Sequence, residues 1–173
     1  MVTVRKRGYQ HGMAWRPIFL LRDLMIALRV WAYRSTMGMD IGPGVKLSLQ
    51  AHLDLTNPSG VHIGADTYIA FGAVILAHDM SRVLHTDTYV GANCFVGANA
   101  IIMPGVHVGD HCIVGSGAVV TRDVPTGSIV VGNPARIARS GISTGRWGVL
   151  TAAFAAAVAE EIAQKAEASD GHS

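Results

Sequence analysis

Two histidines, His78 and His85, stand where an otherwise regular sequence loses its rhythm. An imidazole titrates near neutral pH, so either ring can accept or release a proton during a reaction. Asp79 follows His78 and can orient an imidazole or bind a polar ligand, although neighbours in an extended chain rarely face each other. A second loss of rhythm, after Leu53, gathers Asp54 and Asn57, with Gln50 just before it, and these can hydrogen-bond a ligand. His52, His62, His107 and His111 fall at outward or turn places, which reads as solvated surface.

The rhythm itself has a period of six. Val90, Val96, Ile102, Val108, Val114 and Val120 recur without interruption. Gly follows four of them (Gly91, Gly97, Gly109, Gly115), and four places after each aliphatic comes an apolar, mostly small residue: Cys94, Ala100, Val106, Cys112, Ala118, Val124. Ile63, Ile69 and Ile75 repeat the pattern, and Ile41, Leu47 and Leu53 begin it. Six is the period of neither a helix nor an amphipathic strand. It predicts an all-β fold, a parallel β-helix in which three short faces stack into a solenoid. The aliphatic fills the interior, the glycine sits at a tight turn where it has no Cβ to strain, and the small residue lies where three faces converge. Both cysteines occupy that small inward place and read as inert core thiols rather than nucleophiles.

The rhythm breaks between Leu53 and Ile63, across the turn cluster Asn57-Pro58-Ser59-Gly60, and between Ile75 and Val90. The next small inward place after Ile75 would be Asp79, and a charge cannot fill it. The chain is therefore expected to leave the solenoid near His78-Asp79 and rejoin it near Tyr89. Loops leaving a rigid scaffold are where function concentrates.

The ends differ from the array. Residues 1–37 read as an amphipathic helical lead, 38–139 as the solenoid domain, and 140–173 as a C-terminal helix (148–167) with a disordered tail. The first 34 residues carry seven basic side chains (Arg5, Lys6, Arg7, Arg16, Arg22, Arg29, Arg34) against one acid, Asp23. Trp15, Ile18, Phe19, Leu21, Leu24, Met25, Leu28 and Trp31 make a wide apolar face, with Arg22 and Arg29 on the polar side. Such a lead either packs on the array or a neighbouring subunit, or meets a membrane surface through residues 13–34. Arg22, Asp23 and Arg29 argue against a spanning helix. The net charge of +2 argues against nucleic acid as a partner. Two cysteines and no secretory cleavage pattern fit a cytoplasmic protein, with the inner face of the membrane as a further location.

Several stretches together resemble the hexapeptide-repeat O-acetyltransferases, over about residues 38–139. They are Ile63-Gly64 through Ile75-Leu76-Ala77-His78-Asp79, Val90-Gly91-Ala92-Asn93-Cys94-Phe95-Val96-Gly97, Met103-Pro104-Gly105-Val106, Gly115-Ser116-Gly117 through Val124-Pro125, and Gly132-Asn133-Pro134-Ala135-Arg136. The chain looks like the maltose and galactoside acetyltransferases, and most like the colanic acid and capsular polysaccharide enzymes, which also carry a hydrophobic lead. The resemblance implies a left-handed β-helix, a homotrimer with active sites between subunits, and acetyl-CoA as donor. It implies direct transfer to a sugar or polysaccharide hydroxyl, with His78 as general base and no metal. Asp79, His85, Asp54 and Asn57 then become acceptor-binding candidates. Ala98 and Ser116 match positions giving backbone amides to the pantetheine arm, Thr121 and Arg122 the adenine and phosphate end, and Arg136 and Arg139 basic residues near the 3′-phosphate. Phe95 replaces the usual Trp. The loop after the histidine is shorter than in the galactoside enzymes, which suits a large acceptor.

Three rival functions fit the same periodicity. A zinc carbonic anhydrase of this fold needs histidines where Ala98–Met103 has none. A serine acetyltransferase would use an amino-acid hydroxyl, and a trimeric scaffold would ignore the loss of His78.

Overall fold

The computed structural model describes residues 16–151 and residue 156. The chain visits three sheets in rotation. The first face stacks β1 (Asp40–Ile41), β4 (Val61–Ile63), β9 (Thr88–Val90) and β12 (His107–Val108). The second stacks β2 (Lys46–Leu47), β5 (Tyr68–Ile69), β10 (Phe95–Val96), β13 (Ile113–Val114) and β15 (Ile129–Val131). The third stacks β3 (His52–Leu53), β6 (Val74–Ile75), β11 (Ile101–Ile102) and β14 (Val119–Val120). Every pairing within these stacks is parallel and in register, for example Leu53 with Ile75 and Ile75 with Ile102. The final strand, β16 (Arg136–Arg139), turns back antiparallel to β15.

The six-residue rhythm is the core. Ile63, Ile69, Ile75, Val90, Val96, Ile102, Val108 and Val114 are all at most 2% exposed, and the small inward places, including Cys94 and Cys112, are equally buried. Both thiols are unpaired, and the Cys112 thiol beside it, together with burial, pushes the Cys94 thiol up.

The glycines that follow the aliphatics work differently from the expectation. Their φ is ordinary; what they lack room for is a Cβ, because the next coil passes too close. A Cβ on Gly64 would stand 2.5 Å from Ala92 N, and one on Gly97 2.6 Å from Ser116 N. The left-handed position comes two residues later, three after the aliphatic, at Asp66 (φ 52), Gly72 (φ 67), Asn93 (φ 54), Asn99 (φ 56), Gly105 (φ 82), His111 (φ 57) and Gly117 (φ 70). Each coil turns its corners there, and Gly, Asn, Asp and His are the residue types that tolerate it.

At the N-terminal end a helix, α1 (Arg16–Ser35), docks on the first coil through its last turns. Tyr33 is buried there. Arg29 is not on a solvated polar side: it caps the carbonyls of Leu49 (2.5 Å) and Ala51. Arg34 does the same for Ile41 (2.6 Å) and Gly42. Trp15 lies outside the described residues. At the other end the chain runs back along the solenoid as an extended strap, residues 142–150, with a single helical turn at Arg146–Gly148 and a bridge between Thr144 and Leu150. Residues 148–151, expected to open a helix, belong to this strap, because Gly148 packs against Phe95 and Val149 accepts a bond from Gly145 N (2.8 Å). The rest of the expected helix and tail lies outside the described residues, apart from Ala156, which is helical.

Candidate active site

The two breaks in rhythm meet at one corner. Leu53 and Ile75 are partners in the third sheet, so the residues after each leave the solenoid one above the other. After Leu53 the chain makes a tight loop and one short helical turn, Pro58–Gly60, before β4. After Ile75 it forms a hairpin, β7 (His78–Asp79) paired antiparallel with β8 (Leu84–His85), and rejoins the first sheet at Thr88.

Asp54 joins the two excursions. Its side chain is 1% exposed. One carboxylate oxygen accepts from the backbone N–H groups of Thr56 (2.8 Å) and Asn57 (3.2 Å). The other accepts from the N–H groups of Ala77 (2.7 Å) and His78 (2.9 Å) and from His78 Nδ1. Burial raises its pKa, but the Ala77 N–H, the His78 ring and the Thr56 and Asn57 N–H groups outweigh this and hold it at about 2. An ionised carboxylate has no proton to give, so His78 Nδ1 carries the hydrogen. Neutral imidazole then presents its lone pair at Nε2, on a ring that keeps 19% of its surface exposed. The arrangement can take a proton from a ligand and stabilise the imidazolium that results.

Asn57 holds the neck of the hairpin rather than facing outward. Its amide donates to the carbonyls of Ala77 (2.8 Å) and Thr86 (3.1 Å), and Thr86 N–H closes on Ala77 O (2.9 Å). Gly60 leaves room for this amide: a Cβ there would stand 2.4 Å from Asn57 Nδ2. Asp79 turns away from His78. Its carboxylate accepts from the Ser81 hydroxyl (2.6 Å) and from Arg82 Nε (2.6 Å), and these contacts hold it well below the ordinary carboxylate range. The orienting role open to Asp79 thus falls to Asp54. His85 lies across the hairpin from His78, with ring centroids 6.5 Å apart and planes near perpendicular. Gln50 lies on the turn before β3 and its carbonyl accepts from Gly72 N (2.9 Å). Sequence reading placed Asp54 near a ligand and missed its bond to His78. The available signal was the register: Leu53 and Ile75 are the same member of successive triplets, so Asp54 had to lie beside the exit of the histidine loop.

Of the other histidines, His62 is not simply solvated surface. It stacks on Tyr89 (centroids 4.3 Å, planes 11° apart) and lies 3.3 Å from Asp40 and 3.5 Å from Asp87. His111 Nδ1 donates to Thr144 O (2.8 Å). Among the described residues no group of three His, Cys, Asp or Glu is placed to hold a metal ion.

Residues 87–122 match the family profile "Bacterial transferase hexapeptide (six repeats)". A Bacillus subtilis (strain 168) protein named "Putative acetyltransferase YvoF" is 34% identical over 116 residues, which span 65% of this chain and 66% of that protein. Over the matched residues the chain carries the repeat of the bacterial hexapeptide transferases. Solved structures carry the same fold. The hexapeptide-repeat acetyltransferase VCA0836 of Vibrio cholerae superposes with a TM-score of 0.51 at 23% identity, over 73% of this chain and 90% of that one. A serine acetyltransferase of Neisseria gonorrhoeae superposes with a TM-score of 0.50 at 20% identity, over 73% of this chain and 50% of that one.

Of the remaining candidates, Ala98 and Ser116 lie on a different corner from His78, whereas Thr121 and Arg122 follow the third face at the corner His78 also leaves, two coils further on. Ala98 and Ser116 share the corner between the second and third faces, where Gly117 N donates to Ala98 O (2.8 Å). Neither the Ala98 nor the Ser116 N–H has a hydrogen-bond partner among the described residues. Thr121 and Arg122 follow β14 and are exposed. Ala135 N donates to Val119 O (2.8 Å), which brings the exposed Arg136 beside that strand. Arg139 ends β16, half-buried.

Proposed function

We propose that this protein moves the acetyl group of acetyl-CoA to a hydroxyl of a sugar or polysaccharide, with His78 as general base. The buried Asp54 carboxylate on His78 Nδ1 carries this reading, because it leaves Nε2 as the open, basic nitrogen. Nε2 takes the hydroxyl proton as the oxygen attacks the thioester carbonyl. The carbon–sulfur bond breaks, and the imidazolium returns the proton to the departing thiolate, giving an ester and free CoA. Asp54 stabilises the positive ring between those steps and keeps its tautomer fixed. Backbone N–H groups without internal partners suit the carbonyl oxygen and the pantetheine amides. Arg122, Arg136 and Arg139 suit the CoA phosphates.

The donor amides at Ala98 and Ser116 and the base at His78 stand at different corners of the solenoid, in successive coils. That separation supports a homotrimer of left-handed solenoids, in which a second copy brings its donor corner to the first copy's histidine. His85 and the short hairpin tip around Met80 border the acceptor, and the tip is small enough to leave room for a long glycan. The two unpaired thiols support a cytoplasmic setting.

The test measures thiol release from acetyl-CoA with oligosaccharide, monosaccharide and free serine as acceptors. Turnover is expected with oligosaccharide, and His78→Ala is expected to lower it about 10³-fold without unfolding the chain. Turnover with serine alone would remove the glycan reading; undiminished turnover in His78→Ala would remove the mechanism.

A further inference from the structure

The two sides of α1 meet different surroundings. Toward the solenoid, Arg29, Tyr33 and Arg34 fasten its last two turns. On the opposite side Leu20, Leu21, Leu24, Met25 and Leu28 are 50–70% exposed, and Trp31, 61% exposed, stands where this stripe meets the groove between α1 and the solenoid. At 3.6 residues per turn these six fall within an arc of about 140°. The stripe runs from the second turn of the helix to its docked end, and nothing described in the chain covers it.

The charge around the stripe says what fits it. The first 34 residues hold seven basic side chains and one acid. Arg29 and Arg34 are spent on carbonyls of the first coil and Arg22 pairs with Asp23 (2.7 Å), which leaves Arg5, Lys6, Arg7 and Arg16 in the sequence at or before the start of α1. The lead of a second copy carries the same excess of basic side chains and so offers this one no charge complement. An anionic bilayer surface satisfies both features: the side chains enter the acyl boundary and the cations meet lipid headgroups. Among the described residues no helix is long and apolar enough to cross a membrane, so the helix would lie in the interface.

We infer that α1 is a membrane-surface anchor, docking the protein on anionic lipid through Leu20, Leu24, Leu28 and their neighbours. The inference is independent of the acyltransfer reading, since no residue of the stripe touches the His78 corner. The solenoid is held to the bilayer by the arginine contacts at the docked end.

The experiment is co-sedimentation of the full chain with vesicles of phosphatidylcholine alone and of phosphatidylcholine with about one-third phosphatidylglycerol. Binding is expected to the anionic vesicles and to fall at least tenfold on neutral ones or in high salt. Leu24→Glu and Leu28→Glu, both at exposed positions, are each expected to weaken it about tenfold at unchanged melting temperature. Failure of the wild-type chain to bind anionic vesicles overturns the proposal. If that failure comes with a lowered melting temperature or a changed oligomeric mass in the Glu variants, the stripe belongs instead to the chain's own acidic residues 152–173 or to a second copy.

Discussion

Two corners of the same solenoid are built from one pattern and finished in opposite ways. At the corner between the first and second faces, the left-handed residues Asp66, Asn93 and His111 are covered by the C-terminal strap. Thr144 donates its hydroxyl to Asn93 O (2.6 Å), Trp147 N–H donates to Asp66 O (2.6 Å), and Arg146 reaches the Asp66 carboxylate (2.8 Å). Trp147 also donates its indole N–H to Gly44 O (2.9 Å), under the Lys46 ammonium. At the corner between the third and first faces, the chain leaves the array instead, and a buried carboxylate holds the histidine of the excursion. The strapped corner spends its polar groups on backbone that would otherwise face water. The open corner concentrates four backbone N–H groups and one ring N–H on one carboxylate and leaves the other ring nitrogen uncommitted. Regular coils supply rigidity; interruption of them supplies chemistry.

Four substitutions sharpen that contrast. Asp54→Asn should have the largest effect, lowering turnover at least about 10²-fold, because a neutral amide neither fixes the tautomer nor supports the imidazolium. It should also lower stability. Asp54 is held at about 2 against its ordinary 3.8, so its ionised form favours the folded chain by about 2 kcal/mol. A depressed carboxylate contributes fully above its unfolded value and loses that contribution as pH falls through the folded one. Urea titrations should therefore show the wild-type advantage over Asp54→Asn constant above about pH 4 and vanishing near pH 2. An advantage that persisted at pH 2 would contradict the role of the carboxylate.

Gly60→Ala should come next. Its Cβ would meet Asn57 Nδ2 at 2.4 Å and Thr86 O at 2.5 Å, forcing the neck of the hairpin to shift. Steady-state kinetics should show turnover reduced at least tenfold alongside about 1–3 kcal/mol of stability. Gly148→Ala tests the strapped corner, since its backbone has φ 69 and its Cβ would stand 2.4 Å from Phe95 Cβ. It should cost about 2 kcal/mol in chemical denaturation and leave turnover within twofold. Thr144→Val, which removes the bond to Asn93 O, should cost about 1 kcal/mol and leave turnover unchanged. Loss of activity in either strap variant at a temperature where the chain is folded would break the division between the two corners.

The six-residue spacing fixed which side chains fill the interior, because a solenoid repeats each contact from coil to coil and leaves few other solutions. It also marked both exits from the array, since a charge at Asp79 cannot occupy an inward place. Sequence spacing says which residues share a column but not how an interruption closes. Assigning Asp54 to His78, Asn57 to the neck and Asp79 to the hairpin turn required the path of two excursions relative to each other. The strap was equally hidden. Thr144, Arg146 and Trp147 have no periodicity, and their partners at Asn93, Asp66 and Gly44 are reached only after the chain has folded back over coils laid down 50 to 100 residues earlier.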